Sequence, residues 1–284
     1  MIEWVAEQFA GADLYYGHGT DNPWDEAVAL VLTLANIVDD QAMLAEALGA
    51  DIEEQIRALA EQRIRERVPL PYLLGECWYV GYPFWVDPAV IVPRSPLGHV
   101  LADGLQPWRT APVCRVLDLC AGSGSIGIIA ALCYPEAEVV MVDIDPAAVA
   151  LCERNIQRHE LTERVRVVQA DAARYLAEQD SQWDLIVTNP PYVDAADMAT
   201  LPAEYRHEPK LALAAADDGL AVINAVLQAL PGRLADGGIL LGEVGGSAAA
   251  LGRCHAQLPF IWLALPDGGE GVFVLEAQAV SAPV

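Results

Sequence analysis

From Arg115 to Glu243 the chain alternates short, nearly unbroken apolar runs with longer amphipathic ones, and few architectures accept that pattern. The runs Arg115–Leu119, Val139–Asp143, Val165–Gln169, Asp184–Thr188 and Gly238–Glu243 read as strands apolar on both faces. Such strands belong in a parallel sheet with helices on either side. Helices are expected near 125–133, 146–158, 218–229 and 247–257, which makes the region α/β. The tail differs. Phe260–Leu265 and Gly271–Glu276 are separated only by a turn at Asp267-Gly268-Gly269, too short for a crossover, so they are expected to pair antiparallel.

The first third of the chain reads as helical. Asp21-Asn22-Pro23-Trp24-Asp25-Glu26 offers an Asx cap, a proline in the first turn and acids near the positive end of the dipole. Ala27, Leu30, Val31 and Leu34 then recur at helical spacing toward Val38, and a second amphipathic stretch runs from about Asp51 to Arg67. Residues 1–69 are expected to form a small bundle over a larger domain at 99–284. Between them, 70–98 reads as a linker carrying an aromatic β-hairpin, Cys77–Val80 and Phe84–Val86 around Gly81.

Composition removes several function classes. A net charge of −24 disfavours tight binding to a polyanion, because neutralising phosphates carries most nonspecific nucleic-acid affinity. The same charge suits steering of a basic protein partner. No apolar run reaches the roughly 18 to 20 residues that span a bilayer, and the start, Met1-Ile2-Glu3-Trp4, lacks a basic signal region, so a cytoplasmic protein is expected. The six cysteines form no C-x-x-C pair and have no histidine at ligand spacing. They read as small buried hydrophobes, with no metal site and no disulfide frame.

Two motifs carry chemistry. Asp118-Leu119-Cys120-Ala121-Gly122-Ser123-Gly124 closes the first strand of the alternating region and opens a helix, where glycines let the backbone pass close under a ligand. Asp143 ends the next strand, placed for ribose hydroxyls, and Asp171 follows the third, placed at the edge of an adenine pocket. Gly122-Ser-Gly124-Ser-Ile-Gly127 also satisfies the dinucleotide pattern G-x-G-x-x-G, so a nicotinamide cofactor competes at this point.

The second motif is Asn189-Pro190-Pro191-Tyr192, directly after the run Asp184–Thr188. Two prolines fix the backbone around a strand-end amide. The Asn189 side-chain carbonyl and the Pro190 backbone carbonyl then offer two acceptors to one planar NH₂ group. Such a nitrogen has a delocalised lone pair, and acceptors that fit it better as it pyramidalises stabilise the transition state over the ground state. Tyr192 is expected beside the flat amide, shielding it from water. Asn-Pro also opens ordinary turns. The glycine loop upstream favours the functional reading over a plain turn, and the notch in turn favours a methyl donor over nicotinamide, because an oxidoreductase has no need of it and its sheet more often ends without an antiparallel hairpin. Arg206-His207-Glu208-Pro209 reads as an ion pair fixing the loop or as a contact to the target, and His18 as a local bond to backbone.

Taken together, Asp118–Gly124, Val142-Asp143, Asn189–Tyr192, Arg206-x-Glu208-Pro209 and Tyr72-Leu-Leu-Gly75 resemble the HemK-type protein glutamine methyltransferases. Within that family, Val92-Pro93-Arg94-Ser95-Pro96-Leu97-Gly98 is similar to the branch acting on large-subunit ribosomal protein three. The release-factor branch has Pro-Arg-Pro-x-Thr-Glu there. Tyr16–Asp25, Asn189–Met198 and Glu204–Pro209 resemble the same branch, while Ala121 stands where it usually has threonine.

The resemblance implies a seven-stranded Rossmann-like class I methyltransferase sheet with an antiparallel C-terminal hairpin, plus a small N-terminal helical domain. It implies S-adenosylmethionine as methyl donor, leaving S-adenosylhomocysteine, held by Asp118, Cys120, Ala121, Gly122, Ser123, Gly124, Asp143, Asp171, Ala172 and Asn189. It implies a basic ribosomal protein as substrate, met by Arg94, Asn189, Pro190, Pro191, Tyr192, Arg206 and Glu208, with Asn189, Pro190 and Tyr192 catalytic and no metal. A release-factor target, an adenine in nucleic acid and a non-catalytic binding role stay open in the sequence, which sets no oligomeric state.

Overall fold

The computed structural model describes residues 1–37, 48–266 and 269–280. A two-stranded hairpin, β1 (Glu76–Tyr79) and β2 (Tyr82–Trp85), precedes a seven-stranded sheet. The sheet contains β3 (Arg115–Leu119), β4 (Glu138–Asp143), β5 (Val165–Gln169), β6 (Trp183–Thr188), β7 (Leu234–Glu243), β8 (Ile261–Trp262) and β9 (Val272–Glu276). Their order is β5-β4-β3-β6-β7-β9-β8. Strands β3 to β7 pair in parallel, while β9 runs antiparallel to both β7 and β8.

The continuous apolar runs make sense because each strand buries both faces. Val116, Met141, Leu185, Val187 and Leu241 enter one core cluster; Leu117, Leu119, Val142, Ile186 and Leu240 enter the other. All ten are fully buried, and each contributes roughly 1.5–3 kcal/mol relative to exposure. The chain lays β4 and β5 on one side of β3, then returns to place β6 on the other. A crevice therefore opens at the carboxyl ends of β3 and β6, the switch point where α/β sheets bind ligands. Leu119 lies opposite Thr188 there, and the Thr188 hydroxyl donates to the Leu119 carbonyl at 3.0 Å.

All five expected parallel strands form, with β7 beginning four residues earlier than its apolar run suggests. Leu234 still pairs with Trp183, ahead of a register shift between Trp183 and Leu185. The helix expected near 218–229 starts only at Ala221. Asp217 and Asp218 both have φ of +56°, and Gly219 has φ of +80°. A Cβ at Gly219 would lie 2.1 Å from the Tyr192 carbonyl oxygen, so this turn must pass close beneath the Asn189 loop before a helix can begin. The helix expected near 247–257 spans Ala248–Cys254.

Helices α1 (Ile2–Ala10), α2 (Pro23–Ala35), α3 (Ala50–Glu66) and α4 (Leu70–Leu74) form a separate layer around Val5, Phe9, Leu30 and Ile56. Asn22 caps α2, its side chain accepting from the Asp25 N–H at 2.9 Å. Asn36 ends that helix in the left-handed conformation. Val38, Asp267 and Gly268, which the sequence reading placed in α2 and the C-terminal turn, lie outside the described residues. The hairpin's Cys77, Tyr79 and Phe84 share the sheet's own core with Val92 and Leu97, so the 70–98 stretch covers one face of the sheet.

Candidate active site

The crevice holds a cavity of about 220 Å³. Its floor is the loop after β3, where Ala121 N–H donates to the Val142 carbonyl at 3.0 Å. Cys120, Gly122 and Gly124 all have positive φ, +64°, +55° and +80°. At Gly124 a Cβ would sit 2.6 Å from Cys152 Sγ, which reserves the position for glycine. Cys120, Ala121, Gly122 and Ser123 line the cavity. Gly124 does not; it turns the chain into the helix Ser125–Cys133 behind them.

The three aspartates expected at the cofactor serve the loop in different ways. Asp143 lines the cavity, with Oδ2 accepting from Gly122 N–H at 2.8 Å and Oδ1 from Asp145 N–H at 3.0 Å. Burial raises its pKa. Asp171 also lines the cavity and caps the helix Ala172–Glu178, accepting from Arg174 N–H at 2.8 Å; Ala172 lies beside it on the wall. Asp118 is elsewhere. It is fully buried under the loop, absent from the lining, and accepts from Gly127 N–H at 2.8 Å. Burial pushes its carboxyl up to about 8. Its place is that of a brace for the turn, which the resemblance alone could not separate from a ligand contact.

Asn189 follows Thr188 directly, so the register Leu119↔Thr188 sets its side chain beside the glycine loop. Asn189 and Pro191 line the cavity. The Asn189 side-chain amide makes no hydrogen bond to any described residue, and the Pro190 carbonyl accepts none from the described backbone. Pro190 itself is buried. Tyr192 turns away from the cavity. Its hydroxyl donates to Glu243 Oε1 at 3.0 Å, and its carbonyl accepts from the Ser247 hydroxyl at 3.1 Å. The expected aromatic wall at the amide is thus a tether behind the loop.

The far wall is built on charge. Arg94 lines the cavity and grips Glu208 through two bonds, 2.5 Å to Oε1 and 2.7 Å to Oε2. Glu208 also accepts from Val92 N–H at 3.0 Å and is 3 % exposed. Its ion pair is made with Arg94; Arg206 is exposed and has no ion pair among the described residues. Glu208 stands behind Arg94, away from the lining. Burial alone would raise the Glu208 pKa, but His18 and Arg94 overcome it and hold the carboxyl down to about 2. His18 is buried too, with Nε2 3.7 Å from Glu208 Oε1 and its ring 4.7 Å from that of Tyr205. The local backbone bond expected for His18 does not form.

Four residues earlier, Glu204 ties the same segment to the helical layer. It accepts from Arg67 Nε at 2.7 Å, Arg63 Nη1 at 3.2 Å and Tyr15 N–H at 3.0 Å. Against the burial that would raise it, these donors bring its pKa down to about 2. Arg63 is 1 % exposed and also holds Glu26 at 2.6 Å. Glu204, Glu243, Ser95 and Ile144 were not legible as site residues. Ile144 and Leu211 line the cavity yet are 51 % and 57 % exposed, leaving apolar surface for a ligand to cover. Among the described residues no His, Cys, Asp and Glu cluster could hold a metal, and no helix is long and apolar enough to cross a membrane.

A glycine loop and a strand-end amide sharing one crevice, under a sheet closed by an antiparallel strand, define a methyltransferase. Residues 100–231 match the methyltransferase small domain. A ribosomal protein uL3 glutamine methyltransferase of Francisella tularensis subsp. tularensis is 40 % identical over 278 residues, covering 96 % of this chain and 88 % of the relative. One of the same name from Burkholderia pseudomallei is 38 % identical over 291 residues, covering 99 % and 95 %. The chain belongs to the family of ribosomal protein uL3 glutamine methyltransferases. Among solved structures, the hMettl16 catalytic domain in complex with a MAT2A 3′UTR hairpin aligns with a TM-score of 0.51 at 12 % identity, over 80 % of this chain and 82 % of that one. That likeness concerns the fold alone.

Proposed function

We propose that the protein transfers a methyl group from S-adenosylmethionine to the side-chain amide nitrogen of a glutamine in ribosomal protein uL3. The observation that carries this reading is the open Asn189 amide, which shares a cavity with the glycine loop and has no hydrogen-bond partner among the described residues. The residues present fit the donor. Backbone at Gly122 lies close under the cavity, Asp143 keeps carboxylate lone pairs beyond the two it uses locally, and Ile144 and Leu211 leave apolar surface to cover a flat ring.

When bound, S-adenosylmethionine supplies an electrophilic methyl on a sulfonium, which leaves as a neutral thioether. The chain's own contribution is placement. Asn189 Oδ1 and the Pro190 carbonyl accept the two N–H groups of the target amide and turn its nitrogen lone pair toward the glycine-loop side. Their fit improves as the nitrogen pyramidalises, which lowers the barrier selectively. Once the carbon–nitrogen bond has formed, the proton leaves that nitrogen for water. Orientation supplies much of the acceleration, since well-placed intramolecular reactions reach effective molarities of about 10⁵–10⁸ M. Arg94, fixed by Glu208, offers its charge to the backbone around the glutamine. The helical layer at 1–69 and the 70–98 stretch hold the rest of the substrate, and the net charge of −24 draws a basic protein in. The reaction belongs in the cytoplasm, where ribosomal proteins are made.

Incubating the protein with labelled S-adenosylmethionine and purified uL3, with a release factor in a parallel reaction, tests the reading. Mass spectrometry is expected to find one methyl on a uL3 glutamine. Label on the release factor alone overturns the substrate, and label on neither protein overturns the reaction.

A further inference from the structure

Glu243 ends β7 immediately after Gly242, whose register partner is Thr188, so it stands next to the strand that delivers Asn189. It is 6 % exposed, and burial raises its pKa. Among the described residues it forms no ion pair, unlike Glu204 and Glu208. Both oxygens instead take hydroxyl protons. Oε1 accepts from Tyr192 at 3.0 Å, and Oε2 accepts from Ser95 at 2.5 Å.

Those two hydroxyls come from opposite walls. Tyr192 closes the Asn189-Pro190-Pro191 notch, while Ser95 belongs to the wall that also carries Arg94, and Ser95 itself lines the cavity. Each partner is anchored again on its outer side. The Ser95 carbonyl accepts from the Tyr79 hydroxyl at 2.7 Å, and the Gly98 N–H donates to that hydroxyl at 2.8 Å. The Ser247 hydroxyl lies between the Tyr192 carbonyl at 3.1 Å and the Asp218 carbonyl at 2.9 Å. Bonds to an ionised acceptor are shorter and about twice as strong as neutral ones. A carboxylate that takes a hydroxyl from each wall therefore sets their separation more firmly than packing would.

We infer that Glu243 is a positioning residue, which fixes the distance between the Asn189 notch and the Ser95–Arg94 wall and so the placement of the acceptor amide. It touches neither donor nor acceptor; it acts through Tyr192 and Ser95. The inference rests on the methyl-transfer reading and assigns that site a further determinant.

Glu243→Gln keeps the shape but replaces one ionised acceptor with a neutral amide. Its kcat for uL3 methylation is expected to fall about 10- to 100-fold, the range for losing hydrogen bonds to a charged group. Binding of S-adenosylhomocysteine by calorimetry is expected to stay near that of the unaltered protein, and the thermal midpoint to fall by only a few degrees. Tyr192→Phe and Ser95→Ala each cost less, and Glu243→Gln combined with Tyr192→Phe costs no more than Glu243→Gln alone, because they break one array. Amide hydrogen exchange across 93–98 and 190–193 is expected to quicken in Glu243→Gln without any substrate present.

An unchanged kcat in Glu243→Gln, or additive losses in the double variant, overturns the inference. If Glu243→Gln does not fold, Tyr192→Phe and Ser95→Ala carry the test, and unaltered turnover in both overturns it. An unaltered protein that leaves uL3 unmodified counts against the functional reading, while the exchange measurement still decides whether Glu243 ties the two walls.

Discussion

Around Gly122 the cavity is bounded by backbone, with Asp143 accepting from the Gly122 N–H of the loop and Asp118, beneath it, from the Gly127 N–H of the helix that follows. Around Arg94 it is bounded by buried ion pairs, Glu208 with Arg94 and Glu204 with Arg63 and Arg67. The two sides respond to burial in opposite ways. On the loop side no cation compensates, and the Asp118 pKa rises to about 8. On the opposite side burial is overcome, by His18 and Arg94 at Glu208 and by Arg67, Arg63 and the Tyr15 N–H at Glu204, and both carboxyls are held down to about 2. One side is thus shaped by backbone, whereas the other is stiffened by charge drawn from distant parts of the chain.

The largest effect expected from this contrast is on stability. Glu204→Ala leaves Arg63 buried without one of its two carboxylates, and breaking a buried pair costs about 3–5 kcal/mol. Urea denaturation followed by circular dichroism measures it; a loss under about 1 kcal/mol would mean that the ion network is dispensable. Next comes Asn189→Ala, expected to lower kcat by about 10²- to 10³-fold, the scale of removing one preorganised hydrogen-bonding group. S-adenosylhomocysteine binding should change little, and turnover close to that of the unaltered protein removes the proposed mechanism. Gly124→Ala strains the loop side, with φ at +80° and a Cβ 2.6 Å from Cys152 Sγ. An expected cost of about 1–3 kcal/mol should appear mainly as weaker cofactor binding by calorimetry, and equal damage to both substrates would blur the division between the two sides.

A further pair of effects comes from pH and has opposite signs on the two sides. Glu204 and Glu208 have folded values below their unfolded ones, so the stability they supply is complete above about 4.5 and is lost as pH falls toward about 2. Asp118 has the opposite sign. Its folded value of about 8 lies above the ordinary 3.8, so its contribution declines as pH rises from about 4 to about 8. Asp118→Asn should flatten that upper slope and leave the acid limb alone. Thermal midpoints between pH 3 and pH 8 (roughly the span set by these groups) check both signs, and a variant whose acid limb also moves would break the separation.

The side built on backbone was the easier to see from residues alone. Its parallel strands are unbroken apolar runs, its loop is marked by Gly122 and Gly124, and Asn189-Pro190-Pro191 follows a strand that needs no other evidence. The opposite side was hidden by distance. Arg94 and Glu208 lie 114 positions apart, Arg63 and Glu204 lie 141 apart, and Ser95 and Glu243 lie 148 apart. Charged side chains are ordinarily exposed, so nothing local marks these three glutamates as buried. Arg206 and Glu208 sit close enough in sequence to suggest a pair, yet Glu208 turns inward to Arg94 while Arg206 remains at the surface. His18 likewise reads locally as a partner of its own turn, whereas its ring lies tilted against that of Tyr205, far along the chain.

Glu204 follows Tyr192 by a dozen residues, but its donors come from α3, its C-cap and the loop before α2. The helical layer is therefore a structural dependency of the reaction centre. Excising residues 1–69 would strip Glu204 of Arg63 and Arg67, its ion-pair partners among the described residues, leaving the segment held on that side only through Glu208, Arg94 and Val92. Recombination that exchanged this layer for another, as a means of changing targets, would have to carry Arg63, Arg67 and the Tyr15 backbone along with it.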